Sequence, residues 1–324
     1  MFEVRHAGVK GFGIFASQLI PRGKRIIAER ALLSVNNHDT CILTAATKLS
    51  VKDHGVLMRL SLNESKPSYS PGIVSAAWKA FTFDAKAFGQ GRNILNIFYN
   101  NNFALSDELG TRAVFPTVAR INHSCVPNSQ GNFNDNLESF TIYATRDIAI
   151  GEEVTISYLH DQLGLRASRQ AKLHDGYGFH CACELCSGSS QRRRESRQRR
   201  SEIQSRLKAF ASQQAPTCTH TAALQKMALT RLIIDAHEQE GLAGRELASL
   251  YSAAASLAVL LGDDILAKEL GTTCLELELD AVGKDSSFYE TSRLALMNMN
   301  FPQGTALPRL PCETEPELSY APWT

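Results

Sequence analysis

Two segments decide the fold: Arg120-Ile121-Asn122-His123-Ser124-Cys125-Val126-Pro127-Asn128 and, further along the chain, Gly151-Glu152-Glu153-Val154-Thr155-Ile156-Ser157-Tyr158. The first segment places amide, imidazole, hydroxyl and thiol side chains at four consecutive positions. The second is a Gly-Glu turn followed by a short alternating strand that ends at a tyrosine. Since neither segment could fold alone, we expect the two to come together in one pocket that the rest of the chain feeds or shields.

The composition is that of an ordinary globular protein with room for about two domains. The 324 residues are 44% hydrophobic and 21% charged, and the formal net charge of +1 predicts no direct nucleic-acid binding. Met1 to His6 lack the apolar core of a signal peptide, and the longest nearly apolar run, Ala253 to Leu261, is too short for a membrane span. We therefore expect an intracellular protein, in the nucleus, the cytoplasm or both, with no membrane partner.

Residues 1–33 alternate short apolar stretches with glycines. Lys10-Gly11-Phe12-Gly13-Ile14-Phe15-Ala16 predicts a Gly-x-Gly turn between strand-like segments, and Arg25 to Glu29 returns as a strand. Two glycines at this spacing let the backbone approach a ligand, because no Cβ intervenes. A hairpin with a bulge explains the same residues without any ligand.

Residues 34–100 are less regular and predict a largely helical insert. Helical patterns run from Thr44 to Met58 and from Ser75 to Gln90, with a polar break from Asn63 to Pro71 between them. The insert is followed by three consecutive asparagines, Asn100 to Asn102. These residues fit a helix C-terminus and turn, or they supply amide groups for a ligand.

The second half of the chain reads first as strand and then as helix. Leu137 to Ile148 alternates with a period of two, and residues 159–178 are polar and helical in pattern. Residues 187–200 predict a linker that runs into a basic stretch, which fits a nuclear-import signal, a phosphate contact or the solvated first turn of a helix. From residue 219 onward an apolar stripe at helical spacing predicts antiparallel hairpins, interrupted at Gly262-Asp263-Asp264 and at Gly283.

Three of the eight cysteines, Cys181, Cys183 and Cys186, are spaced Cys-x-Cys-x-x-Cys, while the others are scattered. A secreted disulfide framework would spread them more evenly. A structural zinc site takes four thiolate or imidazole ligands in a tetrahedron, so this triplet is one ligand short. Cys125 is the best fourth ligand and His180 is the alternative. A Cys125 ligand would make the zinc a structural ion that joins the triplet to the pocket.

These motifs, in this order, resemble a SET-domain protein-lysine methyltransferase followed by its post-SET zinc segment. The Gly-x-Gly turn, the two opening segments and the cysteine triplet carry the resemblance across residues 8–186. The helical remainder is similar, by pattern alone, to the tetratricopeptide-like region of the SET-and-MYND branch. The implied fold is α+β, with a SET β-fold of small sheets, a pseudoknot formed by the two segments, a helical insert, the zinc segment and an all-α helical-hairpin C-terminal region.

The resemblance implies a SET domain at 1–160 with its insert at about 34–100, a post-SET zinc segment at 161–188, a helical C-terminal domain at 189–300 and a tail at 301–324. The insert departs from the SET-and-MYND pattern, because Cys41 is its single cysteine and no MYND finger can be built from it. Partner recognition by that finger is therefore not expected, and the C-terminal helices are the possible surface for a protein partner.

In that family the Gly-x-Gly turn and the Asn-His motif bind S-adenosylmethionine. The implied cofactor contacts in this chain are backbone groups at Lys10, Gly11, Phe12 and Gly13, together with Asn101, Asn122, His123, Tyr158 and Phe179, the last lying against the adenine. Tyr158 also matches the tyrosine at the methyl-transfer site. Phe12 stands where a basic residue is common, so the contact to the cofactor's carboxylate is expected to be weaker or to come from Lys10.

Methyl transfer from a sulfonium to an amine needs a deprotonated lysine and close alignment rather than a strong base. Burial in a narrow apolar channel lowers the pKa of a lysine. Tyr158 and nearby backbone carbonyls can orient the amine, so most of the rate enhancement comes from positioning. Phe140 and Tyr143 are candidate walls of the channel, although simple strand packing explains them as well.

The leading hypothesis is an S-adenosylmethionine-dependent protein-lysine N-methyltransferase that acts on a lysine of a histone or of another protein. The alternatives are a catalytically inactive SET-fold protein-interaction module and a SET-fold protein that acts on a small molecule. A thiol hydrolase built on Cys125 and His123 is the poorest hypothesis, because the two side chains are only two residues apart and Cys125 is better used on zinc.

Overall fold

The computed structural model describes residues 1–35, 39–63, 85–106, 110–212 and 220–298. Most of the expected helix from Ser75 to Gln90, most of the polar break from Asn63 to Pro71, and the tail at 301–324 lie outside these ranges. Within them the chain is α+β, as predicted, with three small sheets in its first half and helices in its second half. None of the helices in these ranges is long and apolar enough to cross a membrane.

The first sheet joins the two segments that open the sequence analysis. Its strand order is β1 (Phe2–His6), β2 (Phe12–Ala16), β10 (Glu153–Ile156) and β7 (Asn122–His123). β10 runs parallel to β7 with Thr155 opposite Asn122 and Ile156 opposite His123, while β1 and β2 form an antiparallel hairpin. The two motif segments therefore meet edge to edge, as the sequence predicted.

Two three-stranded sheets complete the β part. One has the order β3 (Arg25–Glu29), β9 (Ser139–Ala144) and β8 (Ser129–Asn134). The other has the order β4 (Leu33–Val35), β6 (Thr111–Val114) and β5 (Asn102–Ser106). The first two sheets and β6 share one apolar core, because the inward side chains of their strands are fully buried; its members include Ile14, Phe115, Ile121, Ile142 and Val154.

The described part of the insert is helical, but the predicted helix from Thr44 to Met58 is two helices. α1 (Asp39–Thr47) ends before Ser50, whose hydroxyl accepts the Asp53 N–H and so starts α2 (Val51–Leu57). α3 (Ala85–Asn101) then leads directly into β5. The amide of Asn102 donates to the carbonyls of Phe98 and Tyr99, so at least one of the three asparagines satisfies the end of this helix.

The segment after the sheets contains α4 (Arg166–Tyr177), α5 (Glu184–Ser187) and α6 (Ser190–Ala211). The interpretation of the basic stretch as the start of a helix is confirmed, since Ser189 caps α6, and the linker is therefore much shorter than 187–200. Most of its arginines face solvent, but Arg200 is only 1% exposed, because it pairs with the buried carboxylate of Glu240. The basic stretch is therefore partly a surface and partly core.

Four further helices follow: α7 (His220–Glu240), α8 (Arg245–Leu260), α9 (Asp264–Val282) and α10 (Ser287–Asn298). Asp263 caps α9 by accepting the Leu266 N–H, so the predicted interruption lies where the sequence indicated. The turn after α9 docks on the β3–β9 sheet, where Asp285 pairs with Arg25 at 2.6 Å and accepts from the Tyr143 hydroxyl. Tyr143 thus belongs to a contact between sheet and helices.

Candidate active site and metal centre

His123 fastens the two motif segments to each other. Its Nδ1 accepts the backbone N–H of Tyr158 at 3.0 Å, and its Nε2 lies 3.4 Å from the Sγ of Cys125. Burial lowers the pKa of His123 to about 4, so the ring is neutral and Nδ1 is free to accept. The imidazole therefore connects β7 to the end of β10 and contacts the nearest cysteine.

Tyr158 ends the second segment at the wall of a cavity. Its hydroxyl donates to the carbonyl of Ile121 at 2.6 Å, and its ring lies 4.8 Å from that of Tyr177 and 6.3 Å from that of Phe179. Burial raises the pKa of Tyr158 above its ordinary value. The hydroxyl is therefore protonated and held in one direction, which suits an orienting donor better than a general base.

The Gly-x-Gly pair is built into the same junction. Gly13 lies inside β2 rather than in the turn, and a Cβ there would stand 2.8 Å from Glu153 Oε1 and 2.9 Å from Asn122 Nδ2. Asn122 Nδ2 donates to Glu153 Oε1 at 2.7 Å and to the carbonyl of Phe12 at 3.1 Å. Gly13 is thus required by a close approach, whereas Gly11 has a positive φ of 79° and open space around it.

Glu153 is a residue of this junction that the sequence did not single out. Besides accepting from Asn122, it accepts from Lys10 Nζ at 2.6 Å, so the lysine expected to offer a contact for the cofactor's carboxylate is already paired. The exposed ring of Phe12 lies 5.2 Å below the guanidinium of Arg120. Arg120 therefore places a second cation beside Phe12, the position where the resemblance implies a basic residue. The only sequence signal for Glu153 was its place in the Gly-Glu-Glu turn.

A cavity of about 820 Å³ opens in front of Tyr158. Of the predicted cofactor contacts, Asn101 and Tyr158 line it, and the Gly-x-Gly turn, Asn122, His123 and Phe179 do not. Asn101 donates its amide to the carbonyls of Ser61 and Ile97. Phe140 lines the cavity but Tyr143 does not, so one of the two candidate channel walls is wrong; the other apolar lining side chains include Phe103, Leu105, Ile121, Phe133 and Ile156.

The opposite wall of this cavity comes from the helical region. Arg245 and Glu246, in the first turn of α8, and Phe288 of α10 line it. The Arg245 guanidinium lies 3.5 Å from the centre of the Phe288 ring, and its Nε is 3.4 Å from Glu278 Oε2. No motif signalled these residues, because each stands in an ordinary amphipathic helix.

The four predicted thiols converge in a second cluster next to Tyr158. Cys125, Cys181, Cys183 and Cys186 have their sulfur atoms within 4.8 Å of one another, and we call these four residues the cysteine cluster. The sulfur of Cys125 lies 3.8 Å from that of Cys181 and 3.6 Å from that of Cys186. Zinc–sulfur bonds of about 2.3 Å require sulfur–sulfur distances of about 3.8 Å in a tetrahedron, so the cluster could hold such an ion. His180, the alternative fourth ligand, instead stacks on His174 with ring centres 4.9 Å apart.

Side chains of α4 frame the cysteine cluster. Gln170 holds Cys181 by both backbone groups, donating to its carbonyl at 2.7 Å and accepting its N–H at 2.9 Å. Arg169 is 3% exposed, and its Nε donates to the Cys125 sulfur at 3.3 Å. Neither residue was predicted, since both belong to a helix whose polar pattern resembles that of a solvated surface.

Sequence comparison matches the first half of the chain to known proteins. The family model described as "SET domain" matches residues 11–159. A histone-lysine N-methyltransferase of Schizosaccharomyces pombe, set5, is 29% identical over 178 residues, which are 55% of this chain and 48% of that protein. The human N-lysine methyltransferase SMYD2 is 40% identical over 91 residues, which are 27% of this chain and 20% of SMYD2. The chain thus covers less than half the length of either relative.

Structural comparison gives a weaker likeness over more of the chain. A solved structure of Rubisco LSMT bound to AdoMet aligns with 94% of this chain and 93% of its own, at 13% sequence identity and a TM-score of 0.36. A similarity of that size is too small to transfer any residue or ligand.

Proposed function

We propose that the protein is a lysine N-methyltransferase that uses S-adenosylmethionine and acts on a lysine of another protein, since residues 11–159 match the family model of the SET domain. The observation that carries the proposal is the hydroxyl of Tyr158, which is buried, protonated and fixed on the Ile121 carbonyl at the wall of a cavity. That hydroxyl stands where the two motif segments meet.

Two features of the site fit the proposed cofactor. A Cβ at Gly13 would push against Asn122 and Glu153, so the backbone there is held in close approach to the junction. Asn100 lines the cavity, and its Oδ1 is buried without a hydrogen-bond partner, so a ligand donor that reached this oxygen would satisfy it. The resemblance also implies cofactor contacts from Asn122, His123 and Phe179, which do not line the cavity in front of Tyr158.

The reaction requires little proton transfer by the protein. Bound S-adenosylmethionine would supply an electrophilic methyl group on its sulfonium. The chain must hold the substrate amine neutral and in line, and the aromatic walls at Phe103 and Phe140 favour the neutral amine by removing water. Tyr158 and the Ile121 carbonyl would orient the amine, so the rate gain is one of positioning.

The shape of the cavity favours a peptide over a small molecule. β5 and β8 both line it, and among the described strands each is the last strand of its sheet, with one edge free of backbone pairing. An extended segment of a protein substrate could add to such an edge, with its lysine directed towards Tyr158. A charged wall from α8 faces these strands, and its groups could contact residues that flank the lysine.

The substrate could be a histone or another protein, and we propose that transfer takes place in the nucleus or the cytoplasm. A reducing compartment keeps the cysteine cluster available for metal. Arg193, Arg194 and Arg197 are exposed on α6 and are the residues available for nuclear import. Imaging of a fluorescently tagged chain with these three arginines replaced by alanine tests the nuclear location, since an unchanged distribution would remove the import role.

The proposed activity is tested by transfer of a tritiated methyl group from S-adenosylmethionine to fractionated cell extract and to core histones. Tyr158→Phe should lower transfer by about a hundredfold, because the orienting donor is lost while the ring remains. Tyr143→Phe is the matched control: it removes a hydroxyl from a buried tyrosine that does not line the cavity, and it should retain transfer.

Other outcomes of the same assay separate the alternatives. Cofactor binding without transfer to any fraction would favour a catalytically inactive SET-fold module that binds partners through its helices. Label found only in small molecules would favour the third hypothesis. Equal transfer by wild type and Tyr158→Phe would overturn the role of Tyr158.

A further inference from the structure

Arg169 carries a buried positive charge that pairs with no carboxylate among the described residues. Its side chain lies in α4 and the residue is 3% exposed. Within the described part of the chain, Arg169 forms no ion pair with an Asp or a Glu. Because a guanidinium stays protonated in proteins, and an uncompensated buried charge is strongly destabilising, an anion must face it.

The groups that face this guanidinium are sulfur atoms and one carbonyl. Nε donates to the Sγ of Cys125 at 3.3 Å, and Nη2 lies 3.8 Å from the Sγ of Cys186. Nη1 donates to the backbone carbonyl of Gly164. Arg200, buried close by, differs in having its own carboxylate, with Nη2 2.9 Å from Glu240 Oε2. Of these two buried arginines, only Arg169 depends on the cysteine cluster for a counter-charge.

A metal-bound cysteine cluster would provide that charge. Four thiolates around one divalent ion keep a double negative charge in excess, which a buried site must offset with nearby donors and cations. Arg169 offers both, as a cation whose N–H groups point at two of the four sulfur atoms. The arginine and the metal centre are therefore complementary in charge, and each lacks a counter-charge without the other.

We propose that Arg169 is the charge-balancing residue of a metal centre in the cysteine cluster, and that it links metal occupancy to the packing of the helical region. The link is the segment 159–164. Its Gly164 carbonyl accepts from Arg169 and also from Arg200 Nη1 at 3.1 Å, and Arg200 Nη1 donates to the Gln162 carbonyl at 2.6 Å. The inference depends on metal binding and is independent of methyl transfer.

The same segment leads from the candidate active site to the helices. It follows Tyr158 directly, and Leu159, His160 and Gln162 line the cavity. On its far side Arg200 of α6 holds Glu240 of α7, so the contact reaches the helical region through one buried ion pair. Loss of the metal would leave Arg169 without its counter-charge, and the segment would lose one of the two arginines that fix it.

Zinc retention by the full-length zinc-loaded protein tests the first part. Arg169→Met should release zinc to a chromogenic chelator at least about tenfold faster than wild type, as expected when a residue supporting metal ligands is removed. Arg169→Lys keeps the charge and should restore much of the retention. Arg166→Met, at an exposed arginine of the same helix, is the control and should match wild type. Equal release rates for Arg169→Met and wild type would overturn the charge-balancing role, as would a wild-type chain that binds no metal.

Hydrogen exchange of the wild-type protein, with zinc and after chelation, tests the second part and needs no variant to fold. Chelation should raise exchange in 159–164, 196–200 and 236–240, while residues 266–277 of α9, packed in the separate helical core, keep their protection. Unchanged exchange at 196–200 and 236–240 would overturn the link to the helices. Uniform loss of protection, α9 included, would also overturn it, since that result means global unfolding.

Discussion

The two walls of the cavity differ in how their hydrogen-bond donors are satisfied, although Asn100 Oδ1, an acceptor on the first wall, also lacks a partner. On the wall from residues that match the SET-domain model, which we call the SET-domain wall, the Tyr158 hydroxyl is fixed on the Ile121 carbonyl, and the Asn101 amide donates to neighbouring backbone carbonyls. On the helical wall Arg245 Nε is buried without a hydrogen bond, and so is Glu278 Oε2, which lies only 3.4 Å away but does not line the cavity. Burial raises the pKa of the Glu278 carboxyl.

This difference assigns different tasks to the two walls. Chemistry that depends on alignment belongs on a wall whose donors cannot move, because a small misplacement is costly in rate. A surface that selects among protein substrates can contain side chains that move to fit a partner. We therefore expect substitutions on the SET-domain wall to change cofactor binding and rate, and substitutions on the helical wall to change only the affinity for substrate.

Metal removal should have the largest effect, because the cysteine cluster packs next to Tyr158, which stands on the SET-domain wall. Cys183→Ser removes one ligand of the cysteine cluster, and we expect zinc affinity to fall more than about a hundredfold, with a lower unfolding temperature. Cys274→Ser is the matched control, because it also removes a buried thiol, but from α9. Zinc titration and thermal unfolding measure both variants, and an equal loss in the two would contradict metal binding by the cysteine cluster.

The pH dependence of kcat/KM should come from the substrate lysine and not from the enzyme. A free lysine has a pKa of about 10.4, so the neutral fraction rises about a hundredfold between pH 7 and pH 9. Burial raises the pKa of Tyr158 above its ordinary value, so the tyrosine stays protonated across this range and causes no fall. Initial rates at subsaturating peptide should rise throughout; a decline before pH 9 that Tyr158→Phe abolishes would show that this hydroxyl titrates.

Gly13→Ala should weaken binding of S-adenosylmethionine by about tenfold, which is about 1.4 kcal/mol. The added methyl would stand within 3 Å of Asn122 and Glu153 and push the junction apart. Gly55→Ala, in α2, meets no atom within 4 Å and serves as the control. Isothermal titration calorimetry with the cofactor measures both; a normal affinity for Gly13→Ala would remove the Gly-x-Gly turn from the cofactor site.

Glu246→Gln should have the smallest effect, a rise in KM for peptide of about threefold, because the carboxylate lies at a partly exposed position where water screens it. The turnover number and the cofactor affinity should not change. Glu276→Gln, on the exposed face of α9, is the control. A fall in turnover number with unchanged KM would show that the helical wall takes part in the chemical step and not in substrate selection.

The sequence predicted the junction of the two motif segments well, because metal ligation and strand pairing restrict which residues can stand there. A tetrahedral metal site needs a fourth ligand, and Cys125 was the thiol whose segment already had to meet the second motif. The pairing of Asn122 with Thr155, and the position of Tyr158 beside the cysteines, followed from that convergence. Short motifs with fixed chemistry leave few arrangements open.

Residues that support the junction were missed, because burial of a polar side chain leaves no local trace. Arg200 is one of six arginines in a stretch that reads as solvated, and only the distant Glu240 makes it core. Tyr143 was a candidate wall by strand alternation, yet the helices cover it. The break between α1 and α2 was predictable, since Ser50-Val51-Lys52-Asp53 carries the sequence signal of a helix start.

The contact between Cys125 and the later cysteines also has a consequence for the folding of the chain. Cys125 and Cys181 are 56 positions apart, and the strands β8, β9 and β10 all lie between them. A metal ion that bridges the two ends acts as a cross-link, and closing a loop of that length removes unfolded-state entropy worth about 4 kcal/mol. Free zinc would therefore set the thermal midpoint of this half of the molecule, and the loop could close only after translation had passed residue 186.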